Sequence, residues 1–361
     1  MKLIVAGGGT GGHLYPGLAV ADEVKRRGGQ VLFVGTERGI EARAVPAAGY
    51  PLELLKVTGL KRMGVVGGGR ALLRLPLAFW QSWQILRRFS PDCVLGVGGY
   101  ASGPLVLMAA LTGIPTALQE QNSAAGLTNR VLGRFAKRIF FGFTEAASAF
   151  SQSKCVVTGN PVRQMFVQHA QEAKTQAVVG SLLVVGGSQG AKAVNDLMLG
   201  AMQHLAKSGA APMVVHQAGK TDCDRLTQGY AAAGLSENAR VVPFIDDMVA
   251  AYGGAELVIG RAGALTLAEL AIVGRPAILI PLPTAADDHQ TKNAHAFEVA
   301  GAAVVLRQGE TTPEKLGALI SELLGDKARL ERMASAMRGL GRPNAAEDIV
   351  GGLGGISKKR H

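Results

Sequence analysis

A histidine closes a glycine-rich segment near the start of the chain, where GGGTGGH occupies residues 7–13. Glycines let a backbone approach an anion closely, and a following helix offers free N–H groups and the positive end of its dipole. At this position His13 could accept a proton from a substrate hydroxyl. The alternative is a histidine that only caps or packs the loop, and the residues by themselves leave both open.

Two further glycine-rich segments follow apolar runs, GVGGYASGP at residues 96–104 and GGSQG at residues 186–190. This arrangement is typical of the phosphate-binding turns of parallel α/β domains. The alternative for each is a turn that only packs a helix on a strand. None of the glycine segments continues into the GK[ST] of a Walker A loop, and none has the later ribose-binding acid of a nicotinamide site. A nicotinamide oxidoreductase is therefore disfavoured.

Polar side chains follow other apolar runs, where they could contact a ligand. The segment QEQN at residues 119–122 is one case, with a solvated loop as the alternative. Glu269 falls in the first turns of a predicted helix and could accept hydrogen bonds from a vicinal diol such as ribose; the alternative is a contact with the helix dipole. Gln290 offers an amide to sugar hydroxyls, or else belongs to a helix start capped by Asp287 or Asp288.

The apolar runs that carry these segments alternate with helical patterns, which predicts α/β domains with parallel sheets. The strand, glycine loop and helix at the start of the chain occur again from residue 182, so two doubly wound domains fit 361 residues better than one. Gly, Asn and Pro at residues 159–163 predict the boundary. Two such Rossmann-like domains are expected to face each other across an interdomain cleft. The predicted strands are residues 3–6, 31–34, 93–97, 116–118, 138–141, 155–158, 182–185, 213–216, 240–243, 257–259, 277–280 and 303–306.

The net charge of +11 lies in the first part of the chain: residues 1–163 hold 19 Lys and Arg against 8 Asp and Glu, whereas residues 164–361 hold 19 of each. Residues 54–91 contain no acid and mix basic side chains with leucines and both tryptophans, which is typical of an element resting on anionic lipid. The alternative is an ordinary amphipathic helix with solvated charges. Nucleic acid is disfavoured as a partner because the interleaved residues are mostly aliphatic. The candidate membrane-facing residues are Arg70, Arg74, Trp80, Trp83, Arg87 and Arg88.

Cysteine usage and apolar segments bear on the compartment. Three cysteines without a CxxC pair predict neither a structural zinc site nor a disulfide framework, so a cytoplasmic chain is expected. The apolar run before the first glycine is too short for a signal peptide. Residues 93–119 carry no charge and are long enough for a membrane span, but their glycines and prolines favour a buried strand, turn and helix.

Taken together, eight segments resemble the MurG family of bacterial UDP-N-acetylglucosamine transferases, glycosyltransferase family 28. The resemblance implies the two-Rossmann glycosyltransferase B architecture, with the C-terminal helix returning to the first domain. An acceptor- and membrane-facing domain would comprise residues 1–163 plus 342–361, and a donor domain residues 164–341. The segments are GGGTGGH (7–13), GGYASGP (98–104), EQN (120–122), GNPVR (159–163), GGSQGA (186–191), FIDDM (244–248), RAGALTLAEL (261–270) and DHQTKNA (288–294).

The same resemblance implies roles for individual residues. His13 would be the catalytic base with Glu120 as support, and Tyr100 would lie on the acceptor side with the basic and tryptophan residues. Many members have a histidine where this chain has Gln119, a departure that shifts weight to His13. The residues that would contact the sugar nucleotide are Ser188 at the diphosphate, Ile245 at the uracil, Glu269 at the ribose, Arg163 near the base, Gln290 at the sugar, Ala264, Leu265, Thr266, Leu267 and Ala268 around the nucleotide, and Thr10, Gly11, Gly12 and Asn122 from the first domain.

The implied reaction moves N-acetylglucosamine from UDP-N-acetylglucosamine to the C4 hydroxyl of the muramoyl sugar in undecaprenyl-pyrophosphoryl-N-acetylmuramoyl-pentapeptide, with inversion. It would take place at the cytoplasmic face of the cell membrane, without a cofactor or an essential metal. Proteins of cell-wall synthesis or division are candidate partners, which would link the enzyme to cell shape. Transfer of a sugar to diacylglycerol and a non-enzymatic nucleotide-sugar sensor are the alternatives from other classes.

Overall fold

A computed structural model describes residues 1–37, 39–57, 65–172, 177–187 and 190–357, with the backbone alone for residues 65–74. The chain divides into two compact units, Met1–Arg163 with Arg342–His361, and Gln164–Gly341. Each unit is built on one sheet in which every strand pair is parallel. The predicted α/β class with two parallel sheets is confirmed.

The described residues of the first unit form a seven-stranded sheet. Its strands are β1 Lys2–Gly7, β2 Gln30–Thr36, β3 Leu52–Leu55, β4 Cys93–Gly98, β5 Thr116–Glu120, β6 Arg138–Phe141 and β7 Cys155–Val157, in the spatial order β3-β2-β1-β4-β5-β6-β7. Its helices are α1 Gly11–Arg26, α2 Glu41–Ala47, α3 Val65–Phe89, α4 Ser102–Leu111, α5 Leu127–Leu132 and, from the end of the chain, α14 Ala345–Ile356.

Side chains on β1 show how helices cover both faces of this sheet. Leu3 and Val5 point to one apolar core, and Ile4 points to another, because successive residues of a strand face opposite sides. Ile349 and Leu353 of α14 are fully buried in the first of these cores, against α1 and the sheet. The C-terminal helix is thereby part of the first unit.

The described residues of the second unit form a six-stranded sheet. Its strands are β8 Ser181–Val185, β9 Met213–Gln217, β10 Ala239–Val242, β11 Leu257–Gly260, β12 Ala277–Leu279 and β13 Ala303–Val305, in the spatial order β10-β9-β8-β11-β12-β13. Its helices are α6 Gln164–Glu172, α7 Lys192–Lys207, α8 Cys223–Ala232, α9 Met248–Gly254, α10 Ala264–Val273, α11 His289–Val299, α12 Pro313–Gly325 and α13 Lys327–Gly339.

Two details differ from the strands expected from sequence. β3 was not predicted, because it is a short edge strand in which only Leu55 is buried. β5 continues through Gln119 and Glu120, which were expected in a loop after the strand; both side chains are buried. Residues 93–119 form β4, α4 and most of β5, and within the ranges that the structure describes each helix is too short or too polar to traverse a bilayer.

In both sheets the order in which the chain adds strands reverses near the centre, and the candidate site residues follow the strands at this point. In the first unit the chain order reverses between β1 and β4, and in the second unit between β8 and β11. At such a switch point the loops after the two strands diverge, which leaves a crevice at their carboxyl ends. The glycine-rich segments come directly after β1, β4 and β8, and α10 begins shortly after β11.

Candidate functional site

The glycine loops after β1 and β4 lie against each other at the switch point of the first unit. The N–H of Gly8 donates to the carbonyl of Gly98 at 3.2 Å. Gly7 has a φ of +141°, and a Cβ there would lie 2.1 Å from the Gly98 carbonyl oxygen. Gly99 has a φ of +84°, and a Cβ there would lie 2.5 Å from the Gly8 oxygen. Glycine is therefore required at these positions by conformation and by space.

A buried carboxylate that was not predicted from the sequence holds the first loop. Glu41 is 1% exposed and accepts from the N–H of Gly9 at 2.7 Å and from the N–H and hydroxyl of Thr36 at 2.9 Å each. A Cβ on Gly8 or Gly35 would fall 2.4 Å from this side chain. The missed signal was a glutamate at a helix start shortly after a glycine-bearing strand end.

Thr10, Gly11, Gly12 and His13 come together at the start of α1. Thr10 and Gly12 are exposed, and His13 is half-buried. The His13 Nδ1 lies 3.0 Å from the Oε1 of Gln121, which follows β5. The predicted base thus faces the crevice side of the unit and is tied to the segment that carries Asn122.

Behind His13, three amide side chains form a buried hydrogen-bonded chain. Gln121 donates through Nε2 to the Val97 carbonyl at 2.9 Å and to the Gln119 Oε1. Gln119 donates in turn to the Asn160 Oδ1 at 2.9 Å, and Asn160 donates back to the Gln121 carbonyl at 2.8 Å. The side chain at position 119 is therefore part of the interior of the unit.

Glu120 contacts the loop that follows β5. Its Oε1 accepts from the N–H of Asn122 at 3.1 Å, and its Oε2 accepts from the N–H of Gly126 at 3.0 Å and from the Asn129 amide at 2.9 Å. A buried carboxylate with several N–H donors fixes the backbone around it. Glu120 thus positions the segment that carries Asn122. The His13 imidazole forms its hydrogen bond with Gln121 and not with Glu120.

Arg163 and Tyr100 occupy different surroundings in the first unit. The Arg163 guanidinium carbon lies 5.4 Å from the centroid of the Tyr15 ring on α1, within cation–π distance. Tyr100 is 47% exposed in the loop after β4. Arg163 is thus close to the helix that begins with the GGGTGGH segment.

The C-terminal part of α3 presents large apolar and basic side chains to solvent. Leu77, Trp80 and Trp83 are 42%, 54% and 38% exposed. Arg87 stacks over the Trp83 ring at 4.9 Å, and Arg88 pairs with Glu53 at 2.5 Å. Arg70 and Arg74 lie on the backbone of α3, but their side chains are outside the described part of the structure.

In the second unit, the glycine loop after β8 lies beside the end of β9. Gly187 and Gly190 have φ values of +78° and +75°, and a Cβ on Gly190 would fall 2.5 Å from the Ala218 carbonyl oxygen. The N–H of Gly186 donates to the Gln217 carbonyl at 3.3 Å. Ser188, the predicted diphosphate contact, lies outside the described residues.

Helix α10 carries six predicted nucleotide contacts in its first two turns. Its N-cap is Gly263, whose position has no side-chain acceptor for the first N–H groups. Those donors and the helix dipole suit an anion. Leu267 is fully buried in the core, whereas Leu265, Thr266 and Ala268 are half-buried.

Glu269 lies on the buried side of α10. Its side chain is 6% exposed, and the Tyr252 hydroxyl donates to its Oε2 at 3.5 Å. The Tyr252 ring packs against Phe166 of α6, with centroids 6.2 Å apart. The carboxylate is thus held by α9 through Tyr252, at the switch point of this sheet.

Ile245 and Gln290 lie on other loops of the second unit. Ile245 is half-buried and, with Phe244, lines a cavity of about 640 Å³. The Gln290 Oε1 accepts from the N–H of Leu282 at 2.9 Å, which fixes the orientation of its amide. Asp288 occupies the N-cap position of α11, as the alternative interpretation expected. Its side chain, however, makes no hydrogen bond that caps the helix.

A buried polar network lies behind the glycine loop of the second unit and was not foreseen from sequence. His216 on β9 is fully buried, with Nε2 3.1 Å from the Asn195 Oδ1 and Nδ1 2.9 Å from the Tyr230 hydroxyl. Asn195 donates to Asp222 at 2.7 Å and to the Ala218 carbonyl at 2.9 Å. Burial lowers the pKa of His216 to about 4, and the hydrogen bond from Arg225 lowers the pKa of Asp222 to about 2.

The described ranges hold no cluster of metal-ligating side chains, and their three cysteines are free thiols. No group of three or more His, Cys, Asp or Glu side chains there is arranged to hold a metal ion. Cys93 is buried, and Cys155 and Cys223 are half-buried, all three as free thiols. Burial raises the pKa of the Cys93 thiol to about 11.

Comparison with known proteins identifies the family. Residues 3–141 match the glycosyltransferase family 28 N-terminal domain, and residues 181–349 match its C-terminal domain. A UDP-N-acetylglucosamine–N-acetylmuramyl-(pentapeptide) pyrophosphoryl-undecaprenol N-acetylglucosamine transferase of Anaeromyxobacter dehalogenans is 50% identical over 97% of this chain and 91% of its own. The chain belongs to the MurG family of glycosyltransferase family 28.

Other members of the MurG family agree in extent and fold. A relative of the same name from Myxococcus xanthus is 49% identical over 97% of this chain and 91% of its own. The crystal structure of MurG from Acinetobacter baumannii superposes with a TM-score of 0.79 at 34% identity, covering 98% of this chain and 99% of that one. MurG similarity therefore spans both units, including the glycine loops and α10.

Proposed function

We propose that this protein transfers N-acetylglucosamine from UDP-N-acetylglucosamine to the C4 hydroxyl of the muramoyl sugar of undecaprenyl-pyrophosphoryl-N-acetylmuramoyl-pentapeptide. The product is the disaccharide lipid precursor of peptidoglycan. The observation that carries the proposal is near-full-length similarity, at 46–50% identity, to curated relatives that are named for this reaction.

The second unit supplies the donor site in this proposal. The loop after β8, with glycine at positions 186, 187 and 190, and the start of α10 flank the switch point, and the first turn of α10 offers backbone N–H groups that no side chain caps. Such donors bind the diphosphate and stabilise the negative charge that develops on the departing UDP. Glu269 binds the ribose, Ile245 lies at the uracil, and Gln290 offers its amide N–H groups to the sugar.

The first unit supplies the base and the acceptor side. Inversion at the anomeric carbon requires one in-line displacement, so the attacking hydroxyl must lose its proton to a group beside it. His13 is the base in this proposal, because it lies at the glycine crevice with only Nδ1 engaged among the described residues. Glu120 supports the site by holding the segment of Asn122, which with Thr10, Gly11 and Gly12 reaches the donor.

The membrane contact is proposed for α3. Exposed Leu77, Trp80 and Trp83 with adjoining Arg87 and Arg88 combine an apolar body with positive charge, which suits the interface of an anionic leaflet. Arg70, Arg74 and Tyr100 belong to the same proposal. The enzyme would act as a peripheral protein on the cytoplasmic face of the cell membrane, alongside proteins of cell-wall synthesis.

The decisive experiment incubates the purified protein with radiolabelled UDP-N-acetylglucosamine and the lipid-linked muramoyl pentapeptide. We expect a labelled disaccharide lipid and the release of one UDP for each sugar transferred. Diacylglycerol serves as the competing acceptor in a parallel reaction. Labelled glycolipid from diacylglycerol alone, or donor binding without turnover, would refute the assignment in favour of the corresponding alternative.

Residue roles are tested separately from the reaction. His13→Ala should abolish most turnover while leaving the KM for UDP-N-acetylglucosamine within about twofold, because a base acts in the chemical step. The matched control is His295→Ala, since His295 is exposed on α11. Near-normal turnover in His13→Ala would remove His13 from the role of base.

A further inference from the structure

The orientation of the Gln121 amide follows from its partners without ambiguity. A backbone carbonyl can only accept, so the side-chain atom that lies 2.9 Å from the Val97 oxygen must be the Gln121 NH₂ group. The opposite atom, Oε1, then faces the His13 Nδ1 at 3.0 Å. An amide oxygen cannot donate, so the hydrogen of this bond belongs to the imidazole.

A second carbonyl fixes the amides behind Gln121 in the same way. Asn160 donates to the Gln121 carbonyl at 2.8 Å, so its Oδ1 faces Gln119. Gln119 must therefore donate to Asn160 and present its own Oε1 to the Gln121 NH₂ group. Each amide is held at both ends, and Gln119, Gln121 and Asn160 are all at most 6% exposed.

We infer that Gln121 is a positioning residue that fixes the tautomer of His13. It accepts the Nδ1–H, which leaves the lone pair of neutral His13 on Nε2. No residue in the described ranges bonds to that Nε2, so it is the nitrogen able to take the proton of the attacking hydroxyl. Gln119 and Asn160 prevent the Gln121 amide from turning over. The inference rests on the proposed function only for the identity of the proton that Nε2 accepts.

The glutamine at position 119 gains a specific role from this arrangement. Its side chain is fully buried and bonds only with other amides in the described structure, so it acts through Gln121. A catalytic base with the wrong tautomer loses most of its effect even when its ring stays in place. The buried amides therefore act on the rate through the hydrogen position on His13.

The direct test is an NMR measurement of the imidazole nitrogens in protein with ¹⁵N-labelled histidine at pH 8. Two-bond nitrogen–proton correlations distinguish the two neutral tautomers, and His13→Gln identifies the His13 signals among the seven histidines. We expect the Nδ1–H tautomer for His13. His216 is an internal reference with the opposite tautomer, Nε2–H, since its Nε2 faces the Asn195 Oδ1, which can only accept.

The perturbing variant is Gln121→Met, which keeps the length of the side chain and removes both the acceptor and the donor. We expect a mixture of His13 tautomers, a kcat lowered about 100-fold, and a donor KM within about twofold. Gln152→Met, on the exposed surface of the same unit, is the control for the substitution itself.

The outcomes separate this inference from the proposed function. An Nε2–H tautomer in the wild type, or an unchanged tautomer in a folded Gln121→Met protein, overturns the inference. If Gln121→Met does not fold, Gln121→Ala removes the same acceptor with a smaller side chain, and an unaltered tautomer and kcat in that variant overturn the inference as well. Absence of sugar transfer by the wild type refutes the proposed function, but it leaves the tautomer measurement decisive for Gln121.

Discussion

Mild acidification should destabilise the second unit through His216. The imidazole is fully buried and neutral, with a pKa lowered by burial from 6.5 to about 4. In the unfolded chain the pKa of this histidine keeps its ordinary value. At a pH between the two pKa values, the unfolded state therefore binds a proton that the folded state does not bind. Stability is therefore lost as pH falls from about 6.5 towards 4.

The magnitude follows from the two pKa values. At pH 5 the histidine of the unfolded chain is protonated roughly 30 to 1, while the buried histidine is mostly neutral, which costs about 2 kcal/mol of unfolding free energy relative to neutral pH. The full loss would approach about 3 kcal/mol near pH 4. Asp222 acts in a separate window, because its pKa of about 2 lies below the ordinary value of 3.8. Its contribution is lost only as pH falls below that ordinary value.

The assay must report on the second unit alone, since two units need not unfold together. Urea titrations at pH 7.5 and pH 5, read by amide hydrogen exchange of peptides from β8 and β9, give the free energy of unfolding there. His216→Gln should remove about 2 kcal/mol of the difference between the two pH values. His295→Gln, at an exposed position on α11, should leave it unchanged. Equal pH dependence in the wild type and His216→Gln would refute the reasoning.

Three further predictions concern packing, thiol reactivity and donor binding. Gly7→Ala should lower the free energy of unfolding of the first unit by at least about 2 kcal/mol, measured by thermal unfolding, because of the positive φ and the close Gly98 carbonyl oxygen. The control is Gly103→Ala, whose added Cβ would have no atom within 4 Å and should leave the stability unchanged. Similar effects of the two substitutions would contradict this prediction. Cys93, with its pKa near 11, should react with a thiol reagent at pH 8 only after unfolding, and later than Cys223. Glu269→Ala should raise the KM for UDP-N-acetylglucosamine about tenfold with a smaller effect on kcat, and an unchanged KM would exclude the ribose contact.

Much of the fold could be read locally. Strands such as β1 and β8 are runs of apolar residues that end at glycines, and the amphipathic helices after them follow from periodicity. β3 escaped prediction because an edge strand buries little and so leaves a weak pattern. The end of β5 was misplaced because Gln119 and Glu120 are polar in a strand that is buried throughout.

The candidate site was predictable only in part. Glycine loops at strand ends and the polar residues beside them are local signals, and their roles as ligand contacts stay predictions. Glu41 and His216 escaped notice because a charged or polar side chain says nothing about its burial until the chain that covers it is known. Their partners come from other loops and helices of the same unit.

By itself, the amino-acid sequence determined two parallel α/β units, their glycine loops and membership of a family of sugar transferases, because these depend on periodicity and on motifs a few residues long. The tertiary structure alone decided which nitrogen of His13 carries its hydrogen. That depends on a bond to Gln121, 108 residues away, and on two backbone carbonyls that orient the amides behind it. Hydrogen bonds of this kind are directional and form only when folding brings both partners to one point.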